Sequence, residues 1–263
     1  MSVSYLVCAT PRSGSTLLCE TLRETGVAGN PLEFFEALPK TGVPRRPADY
    51  LAGLDDPEAW SLIERSQPPE APPYSDLRGC MRYDDHLAKV RREGTTPNGV
   101  FGAKLMWAHL EDLGHRLSAP DLSALVDELF HRPRFVWVRR RDAVRQAVSL
   151  WRAMQTQSWR AGNETATGEP QYSYAALQHL VRLLGAHDAA WERFLAAKDH
   201  VLTLTYEDID SDLGGALART LAHIGVDPVP RTLEALPTMR RQSDQRSEEW
   251  AAAYARDALA TAR

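Results

Sequence analysis

Two short stretches of the chain hold residue types suited to binding anions. The first, Pro11-Arg12-Ser13-Gly14-Ser15-Thr16, combines small residues, three hydroxyls and one permanent cation. Small residues let a backbone wrap an anion, and the N–H groups of Gly14, Ser15 and Thr16 would aim at it from a helix N-terminus. The second runs Arg139-Arg140-Arg141-Asp142-Ala143-Val144-Arg145-Gln146-Ala147-Val148-Ser149 and opens on three consecutive arginines. Four-residue spacing sets Arg145 and Ser149 on one helix face. Each stretch also has a plainer reading, a serine N-cap after a turn for the first and a solvated charged face for the second. The nucleotide-binding pattern G-x-x-x-x-G-K-[ST] is absent, because Gly14 stands alone and no Lys-Ser/Thr pair follows it. Two anion stretches together suggest a ligand with two separated phosphate-like groups.

Both stretches follow segments that read as buried strands. Residues 5–10 form a continuous apolar run, as expected of a parallel strand covered on both faces. Residues 16–25 then carry Leu17, Leu18 and Leu22 at helical spacing, with Gly26 at the position of a C′ glycine. Further strands are predicted over 99–107, 134–138 and 200–206, and helices over 57–65, 84–92, 121–131, 143–159, 173–197, 213–224 and 247–262. Strands alternating with helices predict an α/β fold, a central parallel sheet flanked by helices, in one domain spanning 1–263. Ligands bind such folds at the carboxyl ends of the strands, where both arginine-bearing stretches fall. Proline punctuates about 36–98, the pattern of a loop-rich insertion facing a substrate.

Composition narrows the classes further. With 263 residues, 43% apolar and 25% charged, the chain has the make-up of a globular protein, not a disordered or fibrous one. A net charge of −4 argues against a general nucleic-acid binder. Cys8, Cys19 and Cys80 lack CxxC spacing and the eight histidines lack metal spacing, so no disulfide framework or metal site is expected. No apolar run approaches the ~18 residues of a spanning helix, and no secretory leader is evident at the N-terminus. These features predict a cytoplasmic protein. Lys40, Lys89, Lys104 and Lys198 are the only lysines among 31 basic residues, a skew that genome composition explains but that also favours planar, bidentate anion contacts.

The two stretches together resemble those of sulfotransferases that use 3′-phosphoadenosine 5′-phosphosulfate (PAPS), and the chain is similar to the bacterial trehalose 2-sulfotransferase-like family. Five colinear segments carry the resemblance: 5–25, 29–35, 96–107, 140–155 and 241–250. It implies a sulfotransferase fold like that of P-loop nucleotide kinases, with PAPS as donor, PAP (the desulfated nucleotide) as product, no metal, and a homodimer. Arg12, Ser13, Gly14, Ser15 and Thr16 would hold the 5′-phosphosulfate. Arg140 or Arg141, with Ser149, would hold the 3′-phosphate, and Arg241 and Gln242 would lie where a C-terminal segment closes over the nucleotide. Glu33, in Asn30-Pro31-Leu32-Glu33-Phe34-Phe35, matches the family's general base. An alcohol is a poor nucleophile until its proton has an acceptor. Phe34 and Phe35 would dehydrate that carboxylate and raise its proton affinity. Glu36 is a neighbouring competitor for the role.

Sulfuryl transfer needs positioning and cationic donors, and can proceed without Mg²⁺. Arg12 would stabilise the departing oxygen without acting as an acid. Lys104, Trp107, Trp151 and Trp159 are candidates for contact with an acceptor sugar, Trp151 and Trp159 being eight apart on one predicted helix. The family's trehalose enzyme has a sugar-binding Gln where this chain has Pro11, which offers no side-chain donor and argues against trehalose itself. The acceptor class is a small hydroxyl compound, a sugar or glycosylated metabolite. Two other readings compete: an ATP-dependent small-molecule kinase with a degenerate P-loop, and a non-catalytic nucleotide- or sugar-binding module.

Overall fold

The computed structural model describes residues 3–36, 47–66, 83–159, 169–227 and 245–261. In chain order its elements begin with β1 (Ser4–Ala9) and α1 (Ser15–Glu24), then a short 3₁₀ turn (Pro47–Leu51), α2 (Pro57–Ser66) and α3 (Tyr83–Gly94). Next come β2 (Phe101–Met106), α4 (Trp107–Arg116), α5 (Leu122–Phe130), β3 (Arg134–Arg139) and α6 (Ala143–Thr156). The chain continues through α7 (Tyr174–Leu195), β4 (Val201–Thr205), α8 (Tyr206–Ser211), α9 (Leu213–Ile224) and α10 (Gln245–Thr261). These elements fall into two compact units.

The first unit takes the described residues within 1–44, 74–141 and 187–237, and holds the whole sheet. Its strands lie in the order β2-β1-β3-β4, and every pairing is parallel. Alternation along each strand splits the core into two layers. Leu6, Cys8, Phe135 and Trp137 face one layer with Leu110, Val126 and Trp191 from the helices. Tyr5, Val7, Val136 and Val138 face the other with Leu18 and Leu22 of α1 and Leu217 and Leu221 of α9. The continuously apolar strands are thus explained by cover on both faces, as the parallel-sheet reading expects.

The second unit takes the described residues within 45–73, 142–186 and 238–263. Its core gathers Leu51, Ile63, Trp151, Leu177 and Trp250. Asp142 caps α6 by accepting the Arg145 N–H at 2.8 Å.

Three boundaries that bear on the candidate residues differ from the sequence reading. Trp107 and Tyr206 were expected to end strands, yet each opens a helix. At Tyr206 the cause is a capping box, in which Thr205 and Asp208 satisfy each other's backbone N–H groups. The helix expected over 143–159 stops at Thr156, where Gln157 turns left-handed (φ 53°) and its side-chain amide donates to the Met154 carbonyl at 2.7 Å. Trp159 therefore lies beyond α6 and shares no helix face with Trp151.

Candidate active site

The loop between β1 and α1 has the features of an anion cradle. Gly14 is the N-cap of α1 in the left-handed region, no side chain caps the helix, and no acidic residue lies in its first turn. The plainer serine-cap reading does not hold for this turn. Arg12 also sits at positive φ (63°), an uncommon conformation for a side chain of this size. The Ser13 hydroxyl is fully buried and finds no hydrogen-bond partner among the described residues. Uncapped amides and an orphaned buried hydroxyl fit an anionic group docked in the loop. A Cβ on Gly14 would meet Tyr206 Cδ2 at 2.8 Å, so the loop lies directly against that ring.

Arg140 completes the cradle from the end of β3. Its guanidinium lies over the Tyr206 ring, 4.3 Å from the centroid, and donates to the Arg12 carbonyl at 3.4 Å. Burial, and then the charge of Arg140, push Arg12 down to about 10, with Tyr206 opposing. Arg12 stays cationic at neutral pH, and an anion between the two guanidinium groups would relieve their repulsion. Tyr206 is a site residue the sequence reading missed. Its signal was an aromatic immediately after β4, at the strand end where such folds bind ligands.

The other arginines of the second stretch have different partners. Arg139 pairs with Asp188 at 3.2 Å and lies over the Trp137 ring at 4.4 Å. Arg141 reaches Asp208 at 2.9 Å, its backbone N–H donates to Glu207, and its side chain is 63% exposed. Arg145, expected to join an anion site with Ser149, is instead engaged by Asp142 and Glu248, with its Nη2 2.5 Å from the latter. Those carboxylates hold the guanidinium above its ordinary proton affinity. Ser149 lies on α6 within the second unit.

Glu33 sits beside β2. Lys104 donates its backbone N–H to the Leu32 carbonyl at 2.9 Å, and Leu32 bridges Ala103 in parallel. This extra rung brings the Glu33 carboxylate to 2.6 Å from Lys104 Nζ. The same ammonium donates to Thr16 Oγ1 at 3.0 Å, although only 4% of Lys104 is exposed. Burial opposes the charge on Lys104, but Glu33, and then Cys19 and Glu36, outweigh it and hold the ammonium above its usual proton affinity. The Cys19 thiol is pushed up to about 12, chiefly by burial, and is neutral here.

The environment expected for Glu33 requires correction. Phe34 and Phe35 were expected to dehydrate the carboxylate, but both rings pack into the core, Phe35 edge-on to His86 and Phe130. An ammonium is the neighbour instead, and it favours the ionised carboxylate. Trp107 packs edge-on against Trp191, whose indole donates to the Ala9 carbonyl at 3.0 Å. Trp151 is fully buried and donates to the Gln171 carbonyl at 2.8 Å, so it is a core residue and not a sugar platform. Trp159 is 36% exposed and leans against Tyr50. Arg241 and Gln242 lie outside the described residues. Among the described residues, no group of three or more His, Cys, Asp or Glu could hold a metal ion, and no helix is long and apolar enough to cross a membrane.

With this geometry in hand, comparison with known proteins is specific. The sequence profile of the Stf0 sulphotransferase family matches residues 4–257. A trehalose 2-sulfotransferase of Mycobacterium tuberculosis is 39% identical over 97% of this chain and 95% of its own length. One from Mycolicibacterium smegmatis is 36% identical over the same shares. Among solved structures, the sulfotransferase domain from the curacin biosynthetic pathway superposes with a TM-score of 0.51 at 14% identity, covering 95% of this chain and 83% of that one. That likeness supports the sulfotransferase fold.

Proposed function

This chain belongs to the Stf0 sulphotransferase family, and on that premise we propose that it moves a sulfuryl group from PAPS to a hydroxyl of a carbohydrate or glycoside-like acceptor. The whole chain acts as one sulfotransferase domain in this reading, with Glu33 as general base. The observation that carries it is the contact chain from Glu33 through Lys104 to Thr16, at 2.6 and 3.0 Å, which ties a carboxylate to the anion loop. Glu36, three residues on, also acts on Lys104, but behind Glu33.

When bound, PAPS supplies a sulfuryl group on a phosphate leaving group. Ser13, Gly14, Ser15 and Thr16 would hold the phosphosulfate through amides and hydroxyls, with Arg12 as the cation of the same loop. Arg140 rather than Arg141 takes the 3′-phosphate. Support for that choice is that Arg140 lies beside Arg12 and Tyr206, whereas Arg141 is engaged by Asp208. Glu33 accepts the acceptor's proton as its oxygen bonds to sulfur. Arg12 and the loop amides stabilise the charge left on phosphate as the bridging S–O bond breaks. Charge stabilisation of this kind does not call for a metal.

The named relatives act on trehalose, which supports a sugar-class acceptor. Pro11 brings no side-chain donor to a sugar, and this supports a glycoside other than trehalose. The same resemblance supports a homodimer, which sedimentation would test, and the sequence features above support a cytoplasmic location.

Glu33→Gln is the direct test. Turnover should fall by about 10²- to 10⁴-fold, the usual worth of a general base, while calorimetric PAP affinity stays within about threefold. Retained turnover would remove Glu33 from the mechanism, and loss only in Glu36→Gln would transfer the role. Calorimetry with PAP, ADP and adenosine 5′-phosphosulfate tests the donor, since indifference to the 3′-phosphate would favour a kinase. Incubating enzyme and PAPS with a metabolite extract, and looking for a gain of one SO₃ by mass spectrometry, would identify the acceptor.

A further inference from the structure

We propose that Lys104 is a positioning residue that couples the donor loop to the base. It holds Glu33 ionised and fixed in place against Thr16, and so sets the pH range in which the base works. The inference rests on the reading of Glu33 as general base.

Three observations lead there. Lys104 is almost completely buried in a strand whose other residues are apolar or small, Phe101-Gly102-Ala103-Leu105-Met106. A charge in such a place is costly unless it is paired and hydrogen-bonded, so its retention calls for a reason. Its side chain spans from the base to the loop, ending on Glu33 Oε1 at 2.6 Å and Thr16 Oγ1 at 3.0 Å. Its backbone binds the same segment, through the N–H that donates to the Leu32 carbonyl. One residue thereby fixes both the position of the carboxylate and its distance from the cradle.

Charge then gives that geometry a function. The titratable groups that act on Lys104 are Glu33 and Glu36 from the 32–36 segment and Cys19 from α1. Glu20 and Arg23, further along α1, act on Cys19. With the thiol neutral, the charge set directly against Glu33 is the ammonium, 2.6 Å away. A base that accepts a proton must be ionised beforehand, and an opposite charge this close favours the ionised form. When Glu33 takes the acceptor's proton its charge disappears while Lys104 keeps its own. The ammonium is then left beside Thr16 and the anion loop, where negative charge is growing. The same cation thus favours the reactant form of the base and faces the product form of the donor.

The test follows the Glu33 carboxyl directly, by ¹³C NMR titration of protein labelled at glutamate Cδ, with Glu33→Gln used to assign the resonance. In Lys104→Met the Glu33 midpoint should move up by about one to three pH units, whereas Lys104→Arg should stay near wild type. PAPS turnover with a disaccharide mixture as acceptor should show the same displacement of its acid limb, with rate returning at higher pH. PAP affinity should change by less than about threefold. An unmoved Glu33 midpoint in folded Lys104→Met overturns the proposal. So does a turnover loss that is equal at every pH, which would leave Lys104 a purely structural residue, or a loss of PAP affinity as large as the loss of turnover, which would make it a donor contact. Should Lys104→Met fail to fold, Thr16→Val carries the test, since cutting the loop from the ammonium should lower kcat with the Glu33 midpoint held, and an unchanged kcat overturns the coupling. Failure of the underlying reading looks different, because Glu33→Gln would then keep its turnover whatever Lys104 does.

Discussion

The arginines at the carboxyl ends of β1 and β3 and the arginine at the start of α6 are chemically the same group in opposite surroundings. Arg12 and Arg140 lie half-buried among loop amides, a tyrosine ring and each other. Arg145 lies between Asp142 and Glu248 in the second unit. At the first place burial, and then the neighbouring cation, lower Arg12, so an incoming anion would favour its charged form. At the second, two carboxylates already match the charge, and an anion would have to displace them. A count of arginines, or a net charge of −4, does not separate the two cases. What separates them is burial and the sign of a close neighbour: a second guanidinium beside Arg12, two carboxylates beside Arg145.

The sharpest way to break that contrast is Arg12→Ala. Removing a cation that stabilises developing charge should lower turnover by about 10²- to 10³-fold, with Arg12→Lys recovering part of it, in a single-turnover assay with PAPS. A loss below tenfold would mean that the loop amides suffice. Next in size is the pair Arg140→Ala and Arg141→Ala. Calorimetry with PAP should show a loss of about tenfold or more for Arg140, the worth of a charge-assisted hydrogen bond, and clearly less for Arg141. The reverse order would hand the 3′-phosphate to the residue now engaged by Asp208.

Much of this layout was legible from residue type and period. Four parallel strands could be read because cover on both faces makes them continuously apolar, and the Pro11–Thr16 turn could be read from its small residues. The identity of Glu33 as a candidate came from family resemblance and not from the local string, which offers Glu36 as an equal. What sequence could not supply was partnership across the sheet. Lys104 is 71 residues from Glu33 and 88 from Thr16, so nothing local announces that one ammonium serves both. Tyr206 escaped for a related reason, since β-propensity reads it as the end of β4, and only the Thr205–Asp208 capping box turns the chain there. Phe34 and Phe35 were misread because adjacency to an acid in sequence says nothing about which layer of the core a ring enters.

Gly14 offers a smaller effect that sharpens the contrast through backbone geometry. Its φ of 85° is unfavourable for any side chain, and a new Cβ would press on Tyr206, which supports Arg140. Gly14→Ala should cost about 1–3 kcal/mol of stability, read by urea unfolding, and weaken PAP binding as the cradle shifts. Unchanged binding would show that the ring moves aside without disturbing Arg140.

The smallest effect belongs to the other side of the comparison. Arg145→Ala removes an exposed guanidinium from two carboxylates, and exposed ion pairs are worth about 1 kcal/mol or less. A double-mutant cycle with Glu248→Ala should therefore return a coupling in that range, shrinking as salt rises. PAP affinity of Arg145→Ala should stay within about twofold of wild type. A drop in affinity as large as that of Arg140→Ala would mean that carboxylate partners do not disqualify an arginine from binding the donor, and the distinction between the two settings would fail at its weaker end.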